Sequence, residues 1–459
     1  MTSQCIAEAD DSSGPLFPNE IWDIIFRMAT FVPHAFDTHA PDPFEYPGPP
    51  SQDELHTLLR KALRTKHSIT LVCKTWNMLT TRILYEAVQV TISSSLDELL
   101  QVLEDPATAD ACQIPEYRRS KGRWTLRLDL NFPDVDPQQI EKFSRITRHL
   151  PNLEILCARR RFRGEWMSKW EFLELLAVQT PSKLRVLEVS GHGVSTFIGR
   201  PCLSTLPLHV LRIWPGDWYL HDNGSLLSSN LEHLHLEGPG TQQSAIQGEV
   251  PRSLTYLSLD VGCGPLGRIL DDFMIIGHRL KTIEIDDHIA NQYSYRYRDN
   301  YYFCEGRLES NLRRIAEYFP NLANLIINIR RPRILGYTAY LPPVERLGLR
   351  LYVTPRAGLH KMVTKLIEVT PSIKVVRILE KPTYDELTTG DAETFCAFQR
   401  TSVALMLKHA VRYEDRTGRP FHEVTLPSIF TSSRETRSEL SANRRKLAPN
   451  TSKRGFEPP

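Results

Sequence analysis

The stretches Leu231-Glu-His-Leu-His-Leu236 and Leu254-Thr-Tyr-Leu-Ser-Leu259 carry the motif that decides the fold, L-x-x-L-x-L. Aliphatic residues recur at this spacing in nine units, and a leucine-rich run at 126–130 forms a tenth. In seven of the ten units a proline stands within three residues before the first aliphatic position. Composition alone predicts about two such prolines. The motif therefore marks an internal repeat.

The spacing of the units indicates how they pack. Six of the nine intervals between successive central aliphatic residues are 22 to 29 residues long, and leucine-rich repeats have periods of about 20 to 29 residues. A single repeat cannot bury its apolar face alone, so neighbouring repeats stack. We therefore expect an α/β fold in which residues 91–430 form an irregular leucine-rich-repeat arc of parallel strands with outer helices.

The first unit, residues 14–90, has a different pattern. Four of its apolar residues have the i, i+3, i+4, i+7 spacing of a one-sided helix: Ile21, Ile24, Ile25 and Met28. Residues 33–50 contain six prolines, which remove too many backbone donors for a helix or central strand, so an extended loop is expected. Helical periodicity returns at about residue 53 and continues to Glu86. The sequence predicts a small helical module with a proline-rich insertion.

Short motifs in this module resemble an F-box. They are Phe17-Pro18-x-Glu20-Ile21 followed by Ile24-Ile25-Phe26, then Leu71-Val72-Cys73-Lys74-x-Trp76-Asn77, and Leu84-Tyr85-Glu86. Two features differ from the family pattern: Phe17 stands where leucine is usual, and the proline-rich insertion separates the first two helices. An F-box ahead of irregular leucine-rich repeats is similar to the layout of many proteins of filamentous and mushroom-forming fungi.

The resemblance implies a substrate-receptor subunit of a Skp–cullin–F-box ubiquitin ligase. Such a subunit binds a Skp-type adaptor, and through it a cullin, and holds a target protein for ubiquitin transfer by other subunits. The apolar side chains agree with this, because so short a module cannot bury them all alone. The residues expected to bind the adaptor are Pro18, Ile21, Ile24, Ile25, Leu71, Val72, Trp76 and Leu79. Packing of some of them on the first repeats is the alternative, for Trp76 and Leu84 especially.

The repeats also predict a binding surface. The residue between the last two aliphatic positions of a unit points away from the core, along the concave side. The resulting column is polar and mixed in charge, which suits a protein epitope better than a polyanion. Its residues, expected to bind the target protein, are Arg127, Glu188, Arg212, His235, Ser258, Glu284 and Arg377.

A glycine-rich loop indicates a different class of function. The sequence Leu257-Ser-Leu-Asp-Val-Gly262-Cys-Gly264-Pro-Leu-Gly267 follows an expected strand, and acidic residues at 286–287 end the next one. It resembles the cofactor loop of S-adenosylmethionine-dependent methyltransferases, and a methyltransferase using the Gly262–Gly267 loop is the alternative function. Leu266 stands where that family has its third glycine, and both flanking strands belong to the repeat. We therefore expect no enzyme and no cofactor.

Other ligand classes find little support. His233 and His235 could place two imidazoles on one strand face, but no third ligand stands nearby, and the eight cysteines form no C-x-x-C pair, so no metal site is expected. The cysteines are expected to be free thiols in a reducing compartment. Two basic runs, at 159–163 and 330–333, are expected to be solvated loops. The aromatic segment at 293–303 is expected to be a protein-contacting loop. A net charge of +2 makes nucleic acid an unexpected partner.

The ends of the chain and its hydropathy complete the prediction. No apolar run approaches the about 18 residues of a spanning helix, and the first residues lack a signal-peptide pattern. We therefore expect no membrane partner and a cytoplasmic or nuclear location. Residues 1–13 and 431–459 are expected to be disordered, the second because it has almost no large apolar residues.

Overall fold

A computed structural model of the chain describes residues 17–45, 52–92, 94–104, 121–131, 137–158, 183–189, 196–198, 205–213, 218–220, 228–238, 250–261, 270–271, 273–286, 302–329, 340–351, 359–379 and 392–423. Several sequence predictions lie outside these ranges. They concern the two chain ends, the Gly262–Gly267 loop, both basic runs and residues 293–301 of the aromatic segment.

Eight α-helices lie in the described residues: α1 (Asn19–Ala29), α2 (Gln52–Thr70), α3 (Lys74–Glu86), α4 (Ser94–Glu104), α5 (Pro137–Arg148), α6 (Tyr302–Tyr318), α7 (Leu359–Val369) and α8 (Ala392–His409). The helical periodicity noted in the sequence from residue 53 to residue 86 corresponds to two helices, α2 and α3. At the break, Cys73 caps α3, and its sulfur accepts a hydrogen bond of 3.5 Å from the backbone N–H of Trp76. Within the described chain, no helix combines the length and apolar character needed to cross a bilayer.

Fourteen strands lie in the same residues: β1 (Ala87–Val90), β2 (Arg127–Leu130), β3 (Ile155–Ala158), β4 (Val186–Val189), β5 (Thr196–Ile198), β6 (Val210–Ile213), β7 (Trp218–Leu220), β8 (His233–Gly238), β9 (Tyr256–Val261), β10 (Thr282–Asp286), β11 (Asn324–Ile329), β12 (Arg346–Leu351), β13 (Val375–Ile378) and β14 (Arg412–Glu414). Twelve of them form one sheet in chain order, and β5 pairs with β7 separately. All neighbouring strands of the large sheet are parallel. The prediction of an α/β fold with parallel strands is confirmed.

The register aligns the central aliphatic residue of each repeat with that of the next. These residues are Leu128, Leu156, Leu187, Leu211, Leu234, Leu257, Ile283, Leu325, Leu347 and Val376. Each is at most 1 % exposed. Side chains from four helices join the same core: Leu100, Ile146, Ile315 and Leu366. The main core therefore lies between the sheet and the helices on one of its faces.

The two ends of the sheet are closed differently. At the first end, β1 follows α3 directly, so the helical module of residues 14–90 supplies the edge strand of the sheet. At the last end, α8 and β14 contribute Phe398 and Tyr413, which pack with Phe421 at centroid distances of 4.9 to 5.7 Å. Both ends of the leucine core are thus covered by aromatic or helical elements.

The proline-rich insertion crosses the sheet face opposite to the helices. We call residues 34–45 the strap. At one end, the carbonyl oxygen of Ala35 accepts a hydrogen bond of 2.9 Å from Arg127 on β2. At the other end, the carbonyl oxygen of Pro43 accepts one of 3.2 Å from Arg377 on β13.

The face under the strap is the concave one. Packed helices lie about 8–10 Å apart whereas strands lie about 4.8 Å apart, so the helix layer takes the outside of the curve. The strap agrees with this. Eight extended residues span at most about 28 Å, while the nine spacings from β2 to β13 would cover about 43 Å in a flat sheet. Curvature of the sheet shortens the distance between β2 and β13 along this face, and the two arginine side chains extend towards the strap. Together they allow the strap to reach both anchors.

Candidate functional site

One side of the helical module presents large apolar side chains to solvent. We call this set the apolar face: Phe17, Ile21, Ile24, Ile25, Met28, Leu71 and Val72, each at least 40 % exposed. Its four residues on α1 recur at i, i+3, i+4 and i+7, so they share one side of that helix. A contiguous exposed apolar patch marks a contact surface for a partner.

An adjacent side of α1, formed by the residues that directly follow Ile21 and Ile25, holds the module together. Trp76 at the start of α3 packs against Trp22 and Phe26, with ring centroids 4.7 and 4.9 Å apart. Phe26 is buried. These ring contacts bring the turn between α2 and α3, with Leu71 and Val72, beside α1.

The residues predicted to bind an adaptor divide into two groups. Six are exposed: Pro18, Ile21, Ile24, Ile25, Leu71 and Val72. Trp76 and Leu79 are half-buried. The Trp76 ring already packs against Trp22 and Phe26. Phe17 and Met28 were not among the predicted site residues, although the i+7 position of Met28 already places it on the same side of α1.

The Leu84-Tyr85-Glu86 motif contributes an ion pair inside the module. Arg27 on α1 pairs with Glu86 on α3 at 3.2 Å and with Asp23 on its own helix at 2.8 Å. Lys66 on α2 is nearly buried. Burial lowers the pKa of the Lys66 ammonium group, and Glu86 opposes that shift. The Glu86 carboxylate on α3 therefore interacts with both α1 and α2, and it helps to position the helices that carry the apolar face.

A second candidate surface is the concave face. The register places one residue per strand of the large sheet in a row that we call the central row: Gln89, Asp129, Cys157, Glu188, Arg212, His235, Ser258, Glu284, Ile326, Gly348, Arg377 and Glu414. Six of the seven residues predicted to bind a target belong to it. Arg127 lies two residues before Asp129, because the first repeat aligns through Leu128 and Leu130.

The charges of this face pair with one another. The ion pairs are Arg127 with Asp129 at 3.0 Å, Arg212 with Glu188 at 3.4 Å and Arg377 with Glu414 at 2.8 Å. Glu284 pairs with Arg350 at 2.8 Å and accepts a hydrogen bond of 2.7 Å from the hydroxyl of Tyr256. The face therefore carries neighbouring opposite charges and little field of one sign.

Most of the predicted target-binding side chains are covered. Five of them are buried: Arg127, Glu188, Ser258, Glu284 and Arg377. Arg212 and His235 are half-buried. The sequence predicted an open polar column, and it did not anticipate that the strap crosses this face.

The strap is held by apolar packing as well as by hydrogen bonds. Phe44 is buried in a cluster with Tyr256, Ile326, Val375 and Leu379. The guanidinium groups of Arg346 and Arg377 lie 5.0 and 5.6 Å from the centroid of the Phe44 ring. Arg346 also pairs with Asp42 at 3.0 Å. The strap therefore forms part of the folded structure of the concave face.

The two histidines of β8 have separate roles. His233 is buried and stacks on Tyr256 with ring centroids 4.0 Å apart, and burial lowers the pKa of its imidazole well below the ordinary value. The Nδ1 atom of His235 lies 2.6 Å from the hydroxyl oxygen of Ser258. A different set of described residues can hold a metal ion: His39, His209 and Glu232. Sequence reasoning missed this set because its members are far apart in the chain.

The chain was also compared with known proteins. No model of a protein family matches the sequence. No curated protein matches it either. Because neither comparison points to a site, the two candidate surfaces follow from the geometry alone. They are the apolar face of the helical module and the concave face under the strap.

Proposed function

We propose that the chain is a substrate-receptor subunit of a Skp–cullin–F-box ubiquitin ligase. In this proposal the helical module is an F-box that binds a Skp-type adaptor, and through it a cullin. The sheet is an irregular leucine-rich-repeat arc that holds a target protein. A cytoplasmic or nuclear location belongs to the same proposal. The single observation that carries it is the apolar face.

The energetics of the apolar face support a protein partner. Covering one Leu or Ile side chain contributes about 1.5–3 kcal/mol, and seven large apolar side chains are exposed together. An amphipathic helix of a partner is a natural cover for such a face. Six of the residues come from the same short motifs that resemble an F-box: Phe17, Ile21, Ile24, Ile25, Leu71 and Val72.

The sheet supports the second half of the proposal. The twelve strands of the large sheet pair in chain order, and the central aliphatic residues form one continuous ladder. Stacked repeats share their core in this way and use their concave surface for binding. Because Arg127 and Arg377 already bind the strap, we place the target on the outer side of the strap together with the half-buried Arg212 and His235.

The alternative is an S-adenosylmethionine-dependent methyltransferase. Its expected loop, Gly262–Gly267, lies outside the described residues. Doubly wound cofactor-binding sheets bind their ligand where the strand order reverses. Among the described strands of the large sheet the order follows the chain without reversal, so no observation favours this alternative.

The test is co-purification of the full chain with a Skp-type adaptor protein. Ile24→Asp and Leu71→Asp each place a charge on the apolar face at an exposed position. We expect either substitution to weaken adaptor binding by about tenfold or more, since burying an unpaired carboxylate is unfavourable. Leu407→Asp is the matched control, because Leu407 is a 77 % exposed leucine on α8, away from the apolar face.

The outcomes separate the two functions. Retention of the adaptor by the wild type and by Leu407→Asp, with loss in both apolar-face variants, would support the proposal. If the wild-type chain fails to bind any Skp-type adaptor, the proposal is wrong. Saturable binding of S-adenosylmethionine measured by calorimetry would favour the methyltransferase instead.

A further inference from the structure

Three metal-ligand groups converge where the strap crosses the middle of the sheet. His39 comes from the strap, His209 immediately precedes β6, and Glu232 immediately precedes β8. Their ligand atoms all lie within 4.8 Å of one another. The Nδ1 atom of His39 is 2.9 Å from Oε2 of Glu232 and 3.3 Å from Nδ1 of His209. Nδ1 of His209 lies 4.0 Å from Oε1 of Glu232.

No single two-centre hydrogen bond satisfies both short contacts of the His39 Nδ1 atom. The Nδ1 atom of an imidazole has either one proton or one lone pair in the ring plane. If Nδ1 of His39 donates to Glu232, it cannot accept from His209. If it accepts from His209, its lone pair faces the carboxylate oxygen at 2.9 Å. A cation among the three groups satisfies all of them, because each then offers a lone pair to the same ion.

The separation of the two imidazole nitrogens and the donor set indicate the kind of ion. Zn²⁺ binds imidazole nitrogen at about 2.0–2.1 Å in tetrahedral geometry, which places two nitrogen ligands about 3.3 Å apart. That is the separation of the two Nδ1 atoms. Two imidazoles and one carboxylate suit Zn²⁺ better than Mg²⁺ or Ca²⁺, which prefer oxygen ligands.

We propose that His39, His209 and Glu232 bind one Zn²⁺ ion, which clamps the strap to the concave face. The fourth tetrahedral position is left for water. The His39 side chain is 63 % exposed, so the ion reaches the site from solvent. The clamp lies between the two arginine anchors of the strap, Arg127 and Arg377, at the centre of its span. This inference is independent of the proposed ubiquitin-ligase role.

One neighbouring cation has to be accommodated. Arg185 Nη1 lies 3.5 Å from Nε2 of His209, on the far side of the ring from the proposed ion. When Nδ1 binds a metal, Nε2 carries the proton and no longer accepts from Arg185. The guanidinium keeps a second partner, the carbonyl oxygen of Pro207 at 3.2 Å. Arg185→Ala is therefore expected to leave Zn²⁺ affinity unchanged or raised.

The experiment titrates Zn²⁺ into the full chain, prepared without a polyhistidine tag and stripped with a chelator, by isothermal calorimetry. Co²⁺ serves as a second probe, because its visible absorption reports tetrahedral nitrogen and oxygen ligands. The variants are His39→Ala, His209→Ala and Glu232→Gln, each alone and all three together as the triple variant. His278→Ala is the matched control, because His278 is exposed and lies outside the three-residue group.

We expect the wild type and His278→Ala to bind one Zn²⁺ with the same affinity, and each ligand variant to bind about tenfold or more weakly. Hydrogen exchange supplies a readout that a simple surface ion would not change. Zn²⁺ should slow amide exchange in residues 37–45 of the wild type but not of the triple variant. Equal Zn²⁺ affinity in the wild type and the triple variant would overturn the site, and unchanged strap exchange would overturn the clamp.

Discussion

Arg377 Nη1 donates a hydrogen bond of 2.7 Å to the carbonyl oxygen of Glu45, although 332 positions separate the two residues. The same guanidinium pairs with Glu414 through Nε and Nη2, at 3.0 and 2.8 Å. Arg377 is 4 % exposed and Glu414 is 1 % exposed. One buried side chain therefore joins β13, β14 and the end of the strap.

Replacing Arg377 with methionine is expected to destabilise the fold strongly. The substitution leaves the carboxylate of Glu414 buried without its main partner, which costs about 3–5 kcal/mol. Urea denaturation measures the loss. Arg412→Ala is the control, because Arg412 contacts the same carboxylate at 3.3 Å but is 63 % exposed, and an exposed pair contributes about 0–1 kcal/mol. Equal losses in both variants would contradict the role given to Arg377.

Phe44→Ala is expected to loosen the strap. The ring is 7 % exposed and packs between strand side chains of the concave face, and its truncation costs about 3–5 kcal/mol. Binding of a hydrophobic dye should increase, since the cluster under the strap becomes accessible. The matched control is Phe31→Ala, because Phe31 is 73 % exposed. A dye signal that rises equally in both variants would contradict this prediction.

Glu284 predicts a pH dependence of stability. Burial would raise the pKa of its carboxyl group, but four groups outweigh burial and lower the pKa below its ordinary value: Arg350, His235, Tyr256 and Asn328. A carboxylate with a lowered folded-state pKa stabilises fully above its unfolded pKa, which is about 4.3. That stabilisation is lost as the pH falls through the folded-state pKa.

The measurement compares the wild type with Glu284→Gln in urea at pH 7 and at successively lower pH. We expect the variant to be less stable at pH 7, and the difference to shrink as the pH falls below about 4. Glu423→Gln is the control, because Glu423 is exposed at the end of the described chain. A difference that stays constant down to acid pH would show that the charge of Glu284 does not stabilise the fold.

Gly348 occupies the one described position of the central row where a side chain has no room. A Cβ atom there would lie 2.6 Å from Leu379 Cδ1 and 3.1 Å from Ile326 Cγ1. Gly348→Ala is expected to cost about 1–3 kcal/mol from overpacking. In a Leu379→Ala background the same substitution should cost clearly less, because the shorter of the two contacts, the one with Leu379 Cδ1, is removed. Strictly additive costs in the double variant would contradict this account of Gly348.

Local patterns were sufficient for the architecture. The recurrence of motifs such as Leu231–Leu236 predicted both the strands and the face of each strand that is buried, because side chains alternate along a strand. The spacing of Ile21, Ile24, Ile25 and Met28 predicted the helix α1 and its outward side. The register of the first repeat could not be predicted from the sequence. Leu126 and Leu128 fit the motif as well as Leu128 and Leu130 do, and only strand pairing shows that Asp129 joins the central row.

The strap and its contacts could not be predicted in the same way. A proline-rich segment predicts an extended loop, and its composition says nothing about which surface the loop crosses. His39 is 170 residues from His209 and 193 residues from Glu232, so no spacing rule could bring these groups together. Likewise, the buried state of Glu188 and Arg377 depends on side chains from other strands and from the strap.

The amino-acid sequence by itself determined the helical module, the repeated strands and the leucine core, since these depend on periodicity within about thirty residues. The tertiary structure alone decided which polar side chains stay open to solvent, where the strap lies and which distant ligands meet. The physical reason is that curvature and stacking of the whole sheet set these contacts. They arise only after every repeat is in place.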